Sequence, residues 1–279
     1  MTLRQLITSI SEKLYARIIG KKSAQRVNNK ILNMSLHARG YYNHGTFFDT
    51  GELNLIHKLK NHDIKYVIDI GANVGDYSRL VLENLDCNVL AFEPLPKAFH
   101  ELIRLREEFQ GRFEAHNIGI ADHSGVGTLS FGSDTSEIAT FSLKNNMLEF
   151  VASNNVNSIQ AEILSLDDFF NKKTSEINYP KIDLIKIDVE GYEFQVLNGA
   201  SEIIKKTKPR FIQVEHNRYH MFQQKSVYDF SKILPEYNIY QLLPKNMGLV
   251  KRDPADPLTN LFEYSNFLFV NKSIKNNLL

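Results

Sequence analysis

Short apolar runs alternate with amphipathic stretches through most of this chain, and that alternation predicts its architecture. "YVIDI", "CNVLAFEP", "IDLIKIDV" and "PRFIQVEH" read as buried strands because they are nearly continuous in apolar residues. Between them, "VGDYSRLVLENL", "KAFHELIRLREEF" and "EFQVLNGASEIIKK" carry apolar residues at helical spacing, and "RFEAHNIGIA" reads as a third strand after the second helix. Strands separated by helices of this length imply right-handed crossovers and a mostly parallel, doubly wound α/β sheet. "EYNIYQLLP" and "NFLFVN" add late strands that suit an antiparallel edge. Ahead of the first strand, Thr50 or Asp49 is placed to cap a helix running through Leu53, Ile56 and Leu59. From Asp122 to Pro180 the rhythm breaks: the polar, weakly periodic region around 131–160 is expected to be a lid or substrate loop.

The first forty residues differ from the rest. Leu3, Leu6, Ile7, Ile10, Leu14 and Ile18 fall near one helical face, amid eight Lys and Arg and one acid, Glu12. Residues 1–48 are therefore expected to form a basic helical arm and an aromatic loop, and 49–279 the main domain. The arm's basic face is read first as solvated, with peripheral contact to an anionic membrane as the alternative. Overall the charge is nearly balanced, at +1, which argues against a nucleic-acid partner. No apolar run is long enough for a transmembrane segment and no signal-peptide pattern is present. With a single cysteine, Cys87, the expectation is a cytoplasmic protein without an internal disulfide, and a homo-oligomer stays open.

Candidate chemistry starts where the first strand ends, at "DIGANVGDYS". Gly71 and Gly75 allow a tight turn and close backbone approach, and the helix that follows points free N–H groups at the gap. A dinucleotide fingerprint needs a middle glycine, but Ala72 and Asn73 stand there, and Asp69 would repel a pyrophosphate. Glu93 ends the second strand, where an acid grips a ribose diol. A ligand with an ammonium, a ribose and no phosphate describes S-adenosylmethionine. A nicotinamide-dependent oxidoreductase on a similar sheet is the rival this argues against.

"VIDIGANVGDYS", "NVLAFEPLPKAFHEL", "LSLDDF", "IDLIKIDVEGYEFQVLNGA" and "FIQVEHN" together resemble the FkbM family of S-adenosylmethionine-dependent methyltransferases, over about Asp49 to Asn217. The resemblance implies the class I (Rossmann-like) methyltransferase fold with an antiparallel last strand. It also implies methyl transfer to a hydroxyl oxygen of a sugar, glycan or natural product. On this pattern Asp69, Gly71, Asn73 and Gly75 form the cofactor loop, Glu93 is the ribose acid, and Asp122, after "GIA", is the adenine-side residue. "TGE" at Thr50–Glu52 resembles the family's "SGE".

An alcohol attacks poorly unless its proton leaves as the new bond forms, so a base or a metal is needed. Asp188 and Glu190 follow the fourth strand; Glu215, His216 and Asn217 follow the next. Asp188, His216 and Glu215 are the catalytic candidates, Asp188 also facing the cofactor. Direct proton removal by Asp188 or His216 is preferred; a divalent metal held by Asp188 and Glu215 stays open but unfavoured, since no dedicated ligand spacing is present. Each has a plainer reading: Asp188 as a helix cap, His216 as a buried histidine, with His220 competing for the base role. Lys186 and Glu193 are read as structural. Tyr41, Tyr42, Phe47 and Phe48, with Tyr219 and Phe222, offer faces for a carbohydrate or other small molecule. A nucleic-acid or protein methyltransferase, and a non-catalytic binding module, are the remaining alternatives.

Overall fold

The structure, a computed structural model, describes residues 3–131, 139–141, 157–173 and 180–274; the expected lid lies largely outside the described residues. Its centre is an eight-stranded sheet. Going along the chain, the strands are β1 (Tyr66–Ile70), β2 (Asn88–Phe92), β3 (Phe113–His116), β4 (Gly119–Ala121), β5 (Gly125–Phe131), β6 (Ala139–Thr140), β7 (Asn157–Ser165), β8 (Leu184–Ile187), β9 (Phe211–His216), β10 (Tyr237–Leu242), β11 (Leu249–Arg252) and β12 (Ser265–Asn271). The main sheet runs β3-β2-β1-β8-β9-β12-β10-β11. β3, β2, β1, β8 and β9 are parallel, and β12 is antiparallel to both β9 and β10. This is the class I methyltransferase order with its reversed last strand. That strand is interior, however, and the antiparallel edge is β11, which the sequence pattern did not reveal.

Both faces of the sheet are covered, which explains the continuous apolar runs. One face packs Ile68, Ile185, Ile212 and Phe269 under helices including Glu193–Gly199 and Val227–Ile233; the other packs Val67, Val89, Leu184 and Leu268 under helices including Glu52–Leu59 and Asp76–Asn84. Chain order reverses at β1, whose neighbours are β2 and β8, so a crevice opens beyond the ends of these strands.

Two local expectations fail for identifiable reasons. "RFEAHNIGIA" is not one strand. The chain breaks at Asn117, whose side-chain amide donates to the Glu93 carbonyl at 2.8 Å. β4 then pairs with β7 in a second, four-stranded sheet ordered β4-β7-β5-β6. The helix after Thr50 is capped by neither Thr50 nor Asp49. Gly51 occupies the N-cap at φ +83°, the Thr50 hydroxyl donates to the Glu52 carboxylate at 2.7 Å, and Asp49 accepts from the Thr46 hydroxyl, also at 2.7 Å.

The arm is a pair of helices, Leu3–Ile19 and Gln25–Arg39. Its base is fixed to the domain: Arg39 pairs with Asp256 at 3.2 Å, and the Ser265 hydroxyl donates to the Gly40 carbonyl at 2.9 Å. Tyr41 is fully buried and donates to the Leu258 carbonyl at 2.8 Å, so it is a core residue and unavailable to a substrate.

Candidate active site

Turns beyond β1 and β2 build the first half of the site. Gly71, Asn73 and Gly75 adopt left-handed φ of +80°, +47° and +92° in succession. At Gly71 this is obligatory on two counts, since a Cβ would also run into the Asp188 carbonyl. The Gly71 and Ala72 amides both donate to the Phe92 carbonyl at 3.0 Å, which binds the turn to β2. Glu93, just beyond β2, is buried; its two carboxylate oxygens accept from the Asn73 and Leu95 amides, each at 2.8 Å. Burial pushes its carboxyl up to about 7, against the lowering effect of those two amides.

Turns beyond β8 and β9 build the second half. Asp188 pairs with Lys186 at 3.0 Å. Glu190 is held at φ +53°, and Asn217 donates both to Glu190 at 3.1 Å and to Glu215 at 2.7 Å. Asp188, Glu190 and Glu215 bring one carboxylate oxygen each within 4.8 Å of one another, the one such group of potential metal ligands among the described residues. Burial, then the charges of Asp188 and Glu190, raise the Glu215 carboxyl well above its ordinary value. Ionising Glu215 beside these acids is therefore disfavoured unless a cation joins them.

A cavity of about 470 Å³ joins the halves, walled by Gly71, Asn73, Asp188, Glu190 and Glu215, with Tyr264 and Tyr219 opposite. A narrower cleft of about 40 Å³ continues from it past Glu93, between Phe92, Ile120, Leu129 and Phe141. Gly71, Asn73, Asp188 and Glu190 line both. Of the aromatics read from the sequence, Phe47 and Tyr219 reach the larger cavity.

Four predicted site residues line neither cavity: His216, Asp122, Asp69 and Gly75, where a Cβ would meet Leu102 and Leu105. His216 is fully buried, stacked on His220 with ring centroids 4.6 Å apart and flanked by Phe230, Phe262 and Phe267. Strand alternation is the cause: on β9, Gln213 and Glu215 share the site face while Val214 and His216 face the core. Burial, reinforced by His220, lowers its ring well below the ordinary histidine range. A substrate proton has no path to it. Asp122 follows β4 rather than a main-sheet strand, is exposed, and bonds His123 at 2.6 Å. Asp69 is fully buried, accepts from the Ser78 hydroxyl at 2.6 Å, and lies 4.0 Å from the Lys186 ammonium. It braces the helix start and balances Lys186 rather than lining the cavity.

Lys186, Glu52 and Tyr264, none of them a site candidate from the sequence, also line the cavity. Lys186 lines the cavity and lies over the Tyr77 ring, 4.9 Å from its centroid. Burial alone would lower its ammonium, but Asp188, Asp69 and Glu52 outweigh this and raise it. Glu52 also lines the cavity, tied to Gln213 at 2.7 Å, and Gln213 in turn accepts from the Tyr77 hydroxyl at 2.9 Å. The period-2 spacing of Lys186 and Asp188 was the available signal; Tyr264 had none. Behind the wall, Glu193 accepts from the Val189 amide at 3.0 Å and pairs with His220 at 2.8 Å, while the His220 ring accepts from the Asn217 amide at 3.1 Å. This fully buried pair links the two acid-bearing turns.

The donor set suits S-adenosylmethionine. Each Glu93 oxygen accepts one amide and retains capacity for a ribose hydroxyl, while the buried Asn73 side-chain oxygen has no partner and needs a donor.

Known proteins agree with this reading. The family description "Methyltransferase FkbM domain" matches residues 69–242. "Methyltransferase 1" of Beauveria bassiana is 27% identical over 159 residues, covering 50% of this chain and 60% of that protein. "2-O-methyltransferase NoeI" of Sinorhizobium fredii is 27% identical over 192 residues, 65% of this chain and 75% of its own. "Hexuronic acid methyltransferase AglP" of Haloferax volcanii is 27% identical over 161 residues, 58% and 59% respectively. Two of these three relatives are thus matched over about three-fifths of their length.

Proposed function

This chain belongs to the FkbM family of S-adenosylmethionine-dependent methyltransferases, and from that premise we propose that it methylates a hydroxyl oxygen of a sugar, glycan or related natural product. One observation carries the reading: the glycine turn with Glu93 and the Asp188 carboxylate open onto a single cavity. S-adenosylmethionine supplies an electrophilic methyl group there. Glu93 would hold the ribose, Asn73 and the Gly71 turn the amino-acid end, and the cleft lined by Ile120, Leu129 and Phe141 the base. Asp188 receives the acceptor's proton as the oxygen–carbon bond forms and the sulfur–carbon bond breaks, and Lys186 keeps that carboxylate in place. Glu215, with Glu190 and Asn217, hydrogen-bonds and orients the acceptor.

A carbohydrate acceptor draws support from Tyr264, Tyr219 and His44 along the far wall, where His44 and Tyr264 lie 4.3 Å apart between ring centroids. The names of the Sinorhizobium and Haloferax relatives point the same way. A second reading follows from the three converging carboxylates: a divalent cation among Asp188, Glu190 and Glu215 would lower the acceptor's pKa. The test is incubation with methyl-labelled S-adenosylmethionine and a panel of neutral, amino and uronic sugars, with and without chelator, read by mass spectrometry. Label on a sugar oxygen is expected, unchanged by chelator. Loss of label in chelator selects the metal reading, and label confined to nitrogen or to nucleic acid rejects the proposal.

A further inference from the structure

The arm has an unpartnered apolar surface that the site does not use. On its first helix, Ile10, Leu14 and Ile18 recur at i, i+4 and i+8 and are between 55 and 57% exposed. On its second, Val27, Ile31 and Met34 recur at i, i+4 and i+7 and are 53, 39 and 68% exposed. Neither stripe is covered by the other helix, although Tyr15 donates to Asn28 at 3.0 Å across the pair. With Tyr15 and Leu32, eight large apolar side chains stand in the open on these two amphipathic helices, the densest such group among the described residues.

Charge indicates what covers them. Residues 1–40 hold eight Lys and Arg and one acid, a net +7; with +1 for the whole chain, residues 41–279 carry −6. Lys13 stands three residues after Ile10, and Lys30 three after Val27, so a cation borders each stripe at the same helical offset. Long cationic side chains beside an apolar stripe keep their heads in water while their stems lie along a hydrocarbon boundary. The first helix is 17 residues long, and among the described residues no helix is long and apolar enough to cross a membrane. A helix of this kind lies in the plane of an interface.

We propose that this arm docks the enzyme on an anionic lipid surface, its apolar stripes entering the headgroup boundary and its cations meeting the lipid charge. The docked helices stay joined to the catalytic domain through Arg39, Gly40 and Tyr41. This holds whatever the acceptor is, because it rests on residues outside the cavity.

The test is co-sedimentation of the full chain with vesicles of pure phosphatidylcholine and of phosphatidylcholine with about one-third phosphatidylglycerol, at low and high salt. Binding is expected with the anionic vesicles alone and should weaken at least fivefold at high salt. Leu14→Asp with Ile18→Asp, and separately Lys13→Glu with Lys30→Glu, should each reduce vesicle binding more than tenfold. Circular dichroism and binding of S-adenosylhomocysteine serve as checks that the domain is intact. Salt dependence in the unsubstituted protein keeps the test decisive if a variant misfolds. Equal binding to both vesicle types, or no binding to either, overturns the proposal. So does a dimer that the Leu14 and Ile18 substitutions split into monomers without vesicle binding, which would make a second copy the occupant.

Discussion

Two buried glutamates, Glu93 just beyond β2 and Glu215 near the end of β9, border the same crevice with β1 and β8 between them, and meet opposite surroundings. Glu93 faces backbone amides: both oxygens are engaged at 2.8 Å, its spare acceptor capacity points at a ligand, and its carboxyl rises only to about 7. Glu215 faces other acids, with Asn217 as its donor, and burial with those charges raises its carboxyl well above its ordinary value. Burial is shared; the neighbours are not. A carboxylate whose partners are donors becomes a clamp that ionises near neutrality, whereas one beside Asp188 and Glu190 must hold a proton or recruit a cation.

The comparison can be broken most sharply at Asp188. Asp188→Asn keeps shape while removing the proposed base, and turnover of a labelled acceptor should fall about a thousandfold with S-adenosylhomocysteine affinity little changed. Loss of affinity with turnover per bound complex intact would move Asp188 to the cofactor half. Glu93→Ala removes two charge-assisted amide bonds and the ribose acceptor together. Cofactor affinity should fall about a hundredfold by calorimetry.

A pH series gives a smaller effect with a definite sign. If Glu93 grips the ribose diol as a carboxylate, as proposed, then below about 7 the free enzyme carries a proton that must leave first. Affinity for S-adenosylhomocysteine should therefore weaken about tenfold as pH drops from 8 to 6. Glu93→Gln should flatten that profile, and a slope surviving the substitution would assign the titration elsewhere. Glu215→Gln should do least. A protonated glutamate and a glutamine are alike in shape and donor capacity, so turnover should stay within about threefold. A large loss, together with chelator sensitivity in the unsubstituted enzyme, would establish the metal reading.

Much of the site was legible because its residues end strands. Gly71, Asn73, Glu93, Asp188 and Glu215 each follow an apolar run, and in a parallel sheet such positions converge on one crevice. His216 was misread because adjacency in sequence was taken for adjacency in the site; the two-residue period of β9 sends it to the opposite face. Asp122 was misplaced because Asn117 interrupts what reads as one apolar segment, and the chain leaves the main sheet there. Lys186, read as a structural residue inside an apolar strand, does pair with a neighbouring acid, because its two-residue spacing from Asp188 places both on one face.

By itself, the order of apolar runs, glycines and acids determined the sheet, the crevice and the cofactor turn, because those follow from local periodicity and from what glycine alone tolerates. Only the tertiary structure decided which acids meet donors and which meet other acids, that Asp69 serves Lys186 instead of the cavity, and that Tyr264 and Glu52 close the wall. Those outcomes depend on distances between segments far apart in the chain, and ionisation in a buried site is governed by such distances.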